Sequence, residues 1–108
     1  MSIVYRYTVV TMIMFLIVSI LLEACSPPPG NPDNGKKWFM MHNCYACHGK
    51  NAKNGKAPVI ARIDRSFGSF LRFIRNPDSA IMPVFPEEVL SRQDAADIYA
   101  WLQSLPEK

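Results

Sequence analysis

A chain of 108 residues leaves room for one small domain and excludes an array of several. Its apolar share of 49% overstates the core, because the first two dozen residues hold much of it. The formal net charge of +3 is modest, and its uneven spread along the chain says more than its size.

The N-terminus is apolar. Met1 to Leu22 carries one basic residue, Arg6, and then an uncharged run of 16 residues from Tyr7 to Leu22. That run is short for a bilayer-spanning helix, which needs roughly 20 residues. It fits the apolar region of an export signal, so residues 1–24 are expected to be a signal peptide or hydrophobic export segment. Leu22-Glu23-Ala24-Cys25 looks like a bacterial lipoprotein processing box, with a small residue before an acceptor cysteine and Glu23 an unusual member. Lipidation of Cys25 is the expectation. Ordinary cleavage near Ala24 and retention of the segment as an uncleaved anchor are the alternatives. Residues 25–34 continue as Ser-Pro-Pro-Pro-Gly-Asn-Pro-Asp-Asn after the cysteine, a proline-rich linker, stiff and extended. The folded domain is expected over residues 35–108.

Three helices can be read in that domain. The first covers Lys36 to Asn43, with Trp38, Phe39 and Met41 available for packing. The second starts at the N-cap Ser66 and carries Phe67, Phe70, Leu71, Phe73 and Ile74 on an apolar face. It stops near Arg75, because Pro77 drives Asn76 out of helical geometry. The third follows Ser91, which with Asp94 resembles a capping box. Ala95, Ile98, Tyr99, Leu102 and Leu105 form its stripe, and Pro106 stops it. Long loops, 49–65 and 76–87, separate the helices. No segment reads as a strand.

Between the first helix and the first loop stands Cys44-Tyr45-Ala46-Cys47-His48. This is the C-x-x-C-H pattern for covalent attachment of a c-type haem. Two thiols three positions apart can each bond one vinyl group of a porphyrin, and the adjacent His48 can then ligate the iron. With Cys44 and Cys47 used here and Cys25 at the processing box, no cysteine remains for a structural disulfide. Non-haem readings of the cysteine pair are a dithiol redox couple or half of a zinc site. A zinc site wants four ligands, and only Cys44, Cys47, His48 and the crowded His42 are at hand.

The second axial ligand must come from elsewhere in the chain. His42, Met40 and Met41 lie just before Cys44 and are tied to the side of His48. Met82, in Ile81-Met82-Pro83, sits in a proline-bounded loop well downstream and can reach the opposite face. Lys50, Lys53 and Lys56 could ligate only after losing a proton. His48 and Met82 are therefore the expected iron ligands.

Taken together, these segments resemble a small class I cytochrome c. Gly35 to Phe39 and Cys44 to Gly49 are similar to that family's first helix and haem-attachment segment. Arg75-Asn76-Pro77-Asp78 followed by Met82-Pro83 is similar to the lead-in to its methionine ligand. Tyr99, Trp101 and Leu102 are similar to the terminal helix that packs across the first. The resemblance implies an all-α, cytochrome c-like fold, with three or more short helices and long loops wrapped around one covalent haem c. It also implies that the carbonyl of Pro58 accepts the Nδ1 proton of the proximal histidine. Gly35 and Phe39 lie one residue further from the first cysteine than in some members, which leaves the pairing partners of Trp38, Phe39 and Tyr99 open.

Haem attachment outside the cytoplasm, another implication of the resemblance, agrees with the export signal. The expected location is the periplasmic side of a bacterial membrane, lipid-anchored or N-terminally anchored. From Gly35 to Arg75 nine Lys and Arg face one Asp, while from Asn76 to Lys108 six acidic residues face two basic ones. A basic half can steer a redox partner with an acidic docking surface, although solvation alone also explains surface charge. Nucleic acid is not an expected partner. The expected role is a one-electron carrier, a tethered shuttle or the cytochrome subunit of a larger redox complex, and not an enzyme in itself. The alternative is a haem protein whose labile sixth site binds or reduces a small ligand.

Overall fold

The computed structural model of the chain describes residues 2–24 and 28–106. The expected lipid acceptor Cys25 lies outside the described residues. Among the described residues the fold is all-α and has no strands.

Helix α1, Ser2–Ala24, is longer than the uncharged run inside it, because it takes in Arg6 and the residues before it as well as Glu23 and Ala24 after it. Twenty-three residues extend about 34 Å at 1.5 Å per residue, enough for a hydrocarbon core of about 30 Å. Thr8 donates its hydroxyl to the carbonyls of Val4 and Tyr5, and Thr11 donates to Tyr7 and Thr8. The polar groups of both threonines are thus satisfied within the helix, and its exposed surface from Val9 to Leu22 is mostly apolar. By length and composition α1 can cross a membrane, a test that an N-terminal signal sequence also passes.

Helix α2, Pro32–Met41, starts four residues before the expected Lys36. The reason is local. Asn31 is extended, and its side-chain oxygen accepts from the backbone N–H of Asp33 (2.9 Å) and Asn34 (3.2 Å). Pro32 fills the first helical position, where a missing N–H costs nothing and a fixed φ helps. Asp33 adds a negative charge to the first turn, where the helix dipole favours it. Part of the stretch read as linker is thus a helix cap and first turn. At the other end α2 stops at Met41, and Asn43, at φ 59°, turns the chain into the one-turn helix α3, Tyr45–His48.

Helices α4, Phe67–Arg75, and α5, Arg92–Ser104, begin where their caps place them. The Ser66 hydroxyl accepts from the N–H of Ser69, and the Ser91 hydroxyl from that of Asp94. Each such cap satisfies one of the free donors of a first turn.

The core forms where α2 crosses α5. The helices approach so closely that a Cβ on Gly35 would lie 1.9 Å from the carbonyl oxygen of Asp97. Only glycine fits that crossing. Phe39 (1% exposed) meets Trp101 with ring centroids 4.7 Å apart, and Leu102 (0%) closes the layer. Tyr99 turns instead to α4, 5.6 Å from both Phe67 and Phe70. Phe39 therefore pairs with Trp101, while Tyr99 joins α4 to α5. Burying side chains of this size contributes about 1.5–3 kcal/mol each.

A buried carboxylate sits inside this crossing. Asp97 (5% exposed) accepts from the Asn31 N–H at 2.9 Å, the Gln93 amide at 3.1 Å and the Trp38 indole at 3.4 Å. It fastens the start of α2 to α5.

Candidate functional site

Cys44 precedes α3, and its carbonyl accepts from the N–H of Cys47 (3.3 Å) and His48 (3.0 Å). The single turn gathers both thiols and the imidazole within five residues. Gly49, at φ 85°, ends the turn in a conformation that a side chain would strain. Both thiols are free. Cys47 is exposed, whereas Cys44 is half-buried against the core. Desolvation pushes the Cys44 thiol up to about 11, with a backbone hydrogen bond opposing the rise, so it stays protonated at neutral pH.

His48 Nδ1 lies 2.9 Å from the carbonyl oxygen of Pro58. A carbonyl can only accept, so this contact requires the proton on Nδ1. The lone pair is then on Nε2, the ring atom free to bind a metal. A carbonyl in this position also orients the ring and raises its basicity as a ligand.

The 49–66 segment is folded so that Pro58 arrives there. The Ala57 N–H donates to the Cys47 carbonyl at 2.9 Å, returning the loop to α3. The N–H groups of Ile60 and Ala61 both donate to the Ala52 carbonyl. Pro58, with no N–H of its own, lies between these anchors. The far end of the segment is held by α5: the Arg62 N–H donates to the Leu102 carbonyl (2.8 Å), the Tyr99 hydroxyl to the Arg65 carbonyl (2.6 Å), and the Gln103 amide to the Ile63 carbonyl (2.8 Å). The helix that packs on α2 thus also positions the loop that supports His48.

Met82 lies in the connection between α4 and α5, half-buried and packed against the core. The Ser79 hydroxyl accepts from the N–H of Ile81 (3.1 Å) and of Met82 (3.3 Å), a small turn that presents the thioether. Ile81 beside it is 86% exposed. His42 ends α2 and sets its ring edge-on to Phe85, with centroids 5.9 Å apart. This histidine is engaged with the 76–91 loop, a contact that its nearness to Cys44 in sequence does not suggest.

Among the described residues, no three His, Cys, Asp or Glu side chains gather to hold a bare metal ion. The chemistry of the donors suits a haem better: two free thiols three positions apart, an imidazole with Nε2 bare, and a thioether on a separate loop. Lys36, Lys37, Lys50 and Lys56 are exposed on the basic half. Sequence reasoning missed two side chains that organise these surroundings, Asp97 in the crossing and Arg75 at the end of α4. Apart from Gln93, their partners lie ten or more residues away.

An all-α fold in which α2 and α5 cross at a glycine, with a C-x-x-C-H turn beside that crossing, defines a small c-type cytochrome. More closely, the chain belongs to the family described as cytochrome C oxidase, cbb3-type, subunit III, whose model matches residues 30–102. Membership implies covalently bound haem c and haem-based electron transfer. No curated protein and no solved structure matches the chain.

Proposed function

We propose that this chain is a membrane-tethered, single-haem electron carrier with His48 and Met82 as axial ligands. The observation that carries the reading is the His48–Pro58 contact at 2.9 Å. It fixes the tautomer that leaves Nε2 bare, immediately after the cysteine pair. The Cys44 and Cys47 thiols would hold the haem by adding across its vinyl groups, each sulfur bonding one carbon and its proton going to the next, so no oxidant is required. When bound, the haem supplies an iron that takes up and gives back one electron. His48 and Met82 would fill both axial positions, so little need rearrange between the two redox states, and the methionine raises the potential.

The test is Met82→Ala in the matured haem protein. Haem attachment should persist, the ferrous protein should bind carbon monoxide rapidly, and the reduction potential should fall. An unchanged optical spectrum removes Met82 from the ligand pair. Rapid carbon monoxide binding and a high-spin spectrum in the unaltered protein at neutral pH would point instead to a labile sixth site.

The domain division carries into this reading with one boundary moved: residues 1–24 as export segment or anchor, 25–30 as acceptor cysteine and spacer, and 31–108 as the cytochrome domain, because Asn31 caps α2 and residues 32–34 open it. The location is the periplasmic side of a membrane, with Cys25 acylated. The length and apolar surface of α1 support an N-terminal tether. A mass spectrum of the native protein reports haem mass, acyl mass and mature N-terminus together, and a mass without acyl chains assigns the tether to α1 alone. The exposed lysines support a redox partner with an acidic docking surface. Electron transfer to such a partner should slow as salt is raised, and a flat salt profile would remove steering by charge.

A further inference from the structure

We propose that Arg75 is a positioning residue that keeps Met82 on the iron by clasping the loop that carries it. The inference rests on the axial role of Met82. Arg75 is the last residue of α4, its side chain is 21% exposed, and its guanidinium gathers three acceptors of the following loop. One terminal nitrogen, Nη1, donates to the carbonyls of Phe85 (2.7 Å) and Leu90 (2.6 Å). The other, Nη2, pairs with Glu87 Oε2. The second oxygen of Glu87 accepts from the N–H of Arg92, the first residue of α5, at 3.1 Å. One cation thus links the end of α4, the middle of the loop and the start of α5.

Phe85 is the key attachment. Its N–H donates to the Ile74 carbonyl at 2.9 Å, its carbonyl accepts from Arg75, and its ring stands nearly perpendicular to that of His42. The first of these bonds closes the segment from Arg75 to Val84 into a loop. Met82 is three residues from Phe85, at most about 11 Å of chain. Ser79 shapes the turn upstream of Met82, and the Arg75 clasp fixes the chain downstream. Loop stretches held by few contacts open first. Here Ile81, Val84 and Val89 are exposed, and in 76–91 only Leu90 is buried. Polar bonds to Arg75, more than packing, therefore set how often Met82 leaves its position. A guanidinium suits the task because its planar fork reaches several acceptors at once, which a lysine ammonium cannot reproduce from one atom.

The experiment uses the matured haem protein in the unaltered, Arg75→Gln, Arg75→Lys, Glu87→Gln and Met82→Ala forms. Two quantities are read: amide exchange over residues 76–91, and the rate of carbon monoxide binding to the ferrous state. Arg75→Gln should speed both by roughly tenfold or more, the population change that follows loss of a buried hydrogen-bond partner. Arg75→Lys should fall between it and the unaltered protein, and Glu87→Gln, which spares both carbonyl bonds, should change least. Should Arg75→Gln yield no haem protein, the order of the Lys and Gln variants at positions 75 and 87 still decides the matter. Unaltered carbon monoxide rates in the Arg75 variants overturn the proposal, with or without faster loop exchange, while Met82→Ala still opens the site. If Met82→Ala itself keeps the parent spectrum, the axial assignment fails, and the role of Arg75 falls with it.

Discussion

The crossing of α2 on α5 and the loop that carries Met82 are held by different physics. At the crossing, backbone meets backbone at Gly35, and Phe39, Ala95, Ala96, Ile98, Trp101 and Leu102 are all buried. In the 76–91 loop Leu90 alone is buried, and order comes from hydrogen bonds to Arg75 and Ser79. A close-packed crossing transmits any added volume as strain. A loop held by a few polar bonds can open alone, without unfolding the rest. On the proposed ligation, stability and control of the Met82 ligand thus fall to separate parts of a small domain. Mutations should sort accordingly, into those that remove the fold and those that alter the iron site within an intact fold.

The largest effect should come from Gly35→Ala. The added methyl would stand 1.9 Å from the Asp97 carbonyl oxygen, and the obstacle is backbone, so no rotamer change relieves it. A loss of about 3–5 kcal/mol is expected. That approaches everything a core of this size supplies, roughly 3–5 kcal/mol. Expression of the variant should yield little coloured protein. Normal yield and a melting temperature near that of the parent would mean that the helices can separate cheaply, and the contrast with the loop would fail.

Asp97→Ala should rank next. It leaves the Asn31 N–H, the Trp38 indole and the Gln93 amide without their shared acceptor. Gln93 keeps a second partner in the Pro29 carbonyl, so Asn31 and Trp38 bear most of the loss. The expected cost is about 1–3 kcal/mol, or roughly 4–8 °C in melting temperature per kcal/mol for a domain this size. Asp97→Asn keeps one acceptor oxygen and should lose less. Both should leave the carbon monoxide rate of the haem protein untouched, because the acceptor lies in the crossing. A change in that rate would show that the crossing and the loop are coupled.

The parts legible in the sequence were those governed by short-range rules. Ser66 and Ser91 announce their helices because a capping hydroxyl bonds only three residues ahead. Asn31-Pro32-Asp33 carried an equally local signal for the start of α2, but the prolines before it made the whole stretch read as linker. The C-x-x-C-H turn and the placement of Pro58 beside His48 were also expected, the second from resemblance alone. Long-range pairing was not legible. Nothing local distinguishes Trp101 from Tyr99 as the partner of Phe39; the rotation of α5 decides it, and that depends on Gly35. Asp97 was not singled out, because two of its three donors are 59 and 66 residues away. The course of the 49–66 segment depends on backbone bonds to Cys47, Ala52 and α5, which no side-chain pattern encodes.

The smallest effect, and the one of opposite sign, belongs to a second glycine. Gly68 lies in the first turn of α4, is exposed, and has nothing within 4 Å of where a Cβ would stand. Gly68→Ala should therefore add no clash. It removes backbone freedom from the unfolded chain, which stabilises by about 0.4–1 kcal/mol where the native conformation accepts the new residue. A position in the first turn should realise the lower part of that range, about 0.5 kcal/mol, because helix propensity counts for more in the interior. The gain would be read as a rise of a few degrees in melting temperature, with spectrum and potential unchanged. The same substitution that destroys the domain at the α2–α5 crossing would then strengthen it on an open helix face. A loss at Gly68 would mean that this face of α4 is covered in the mature protein.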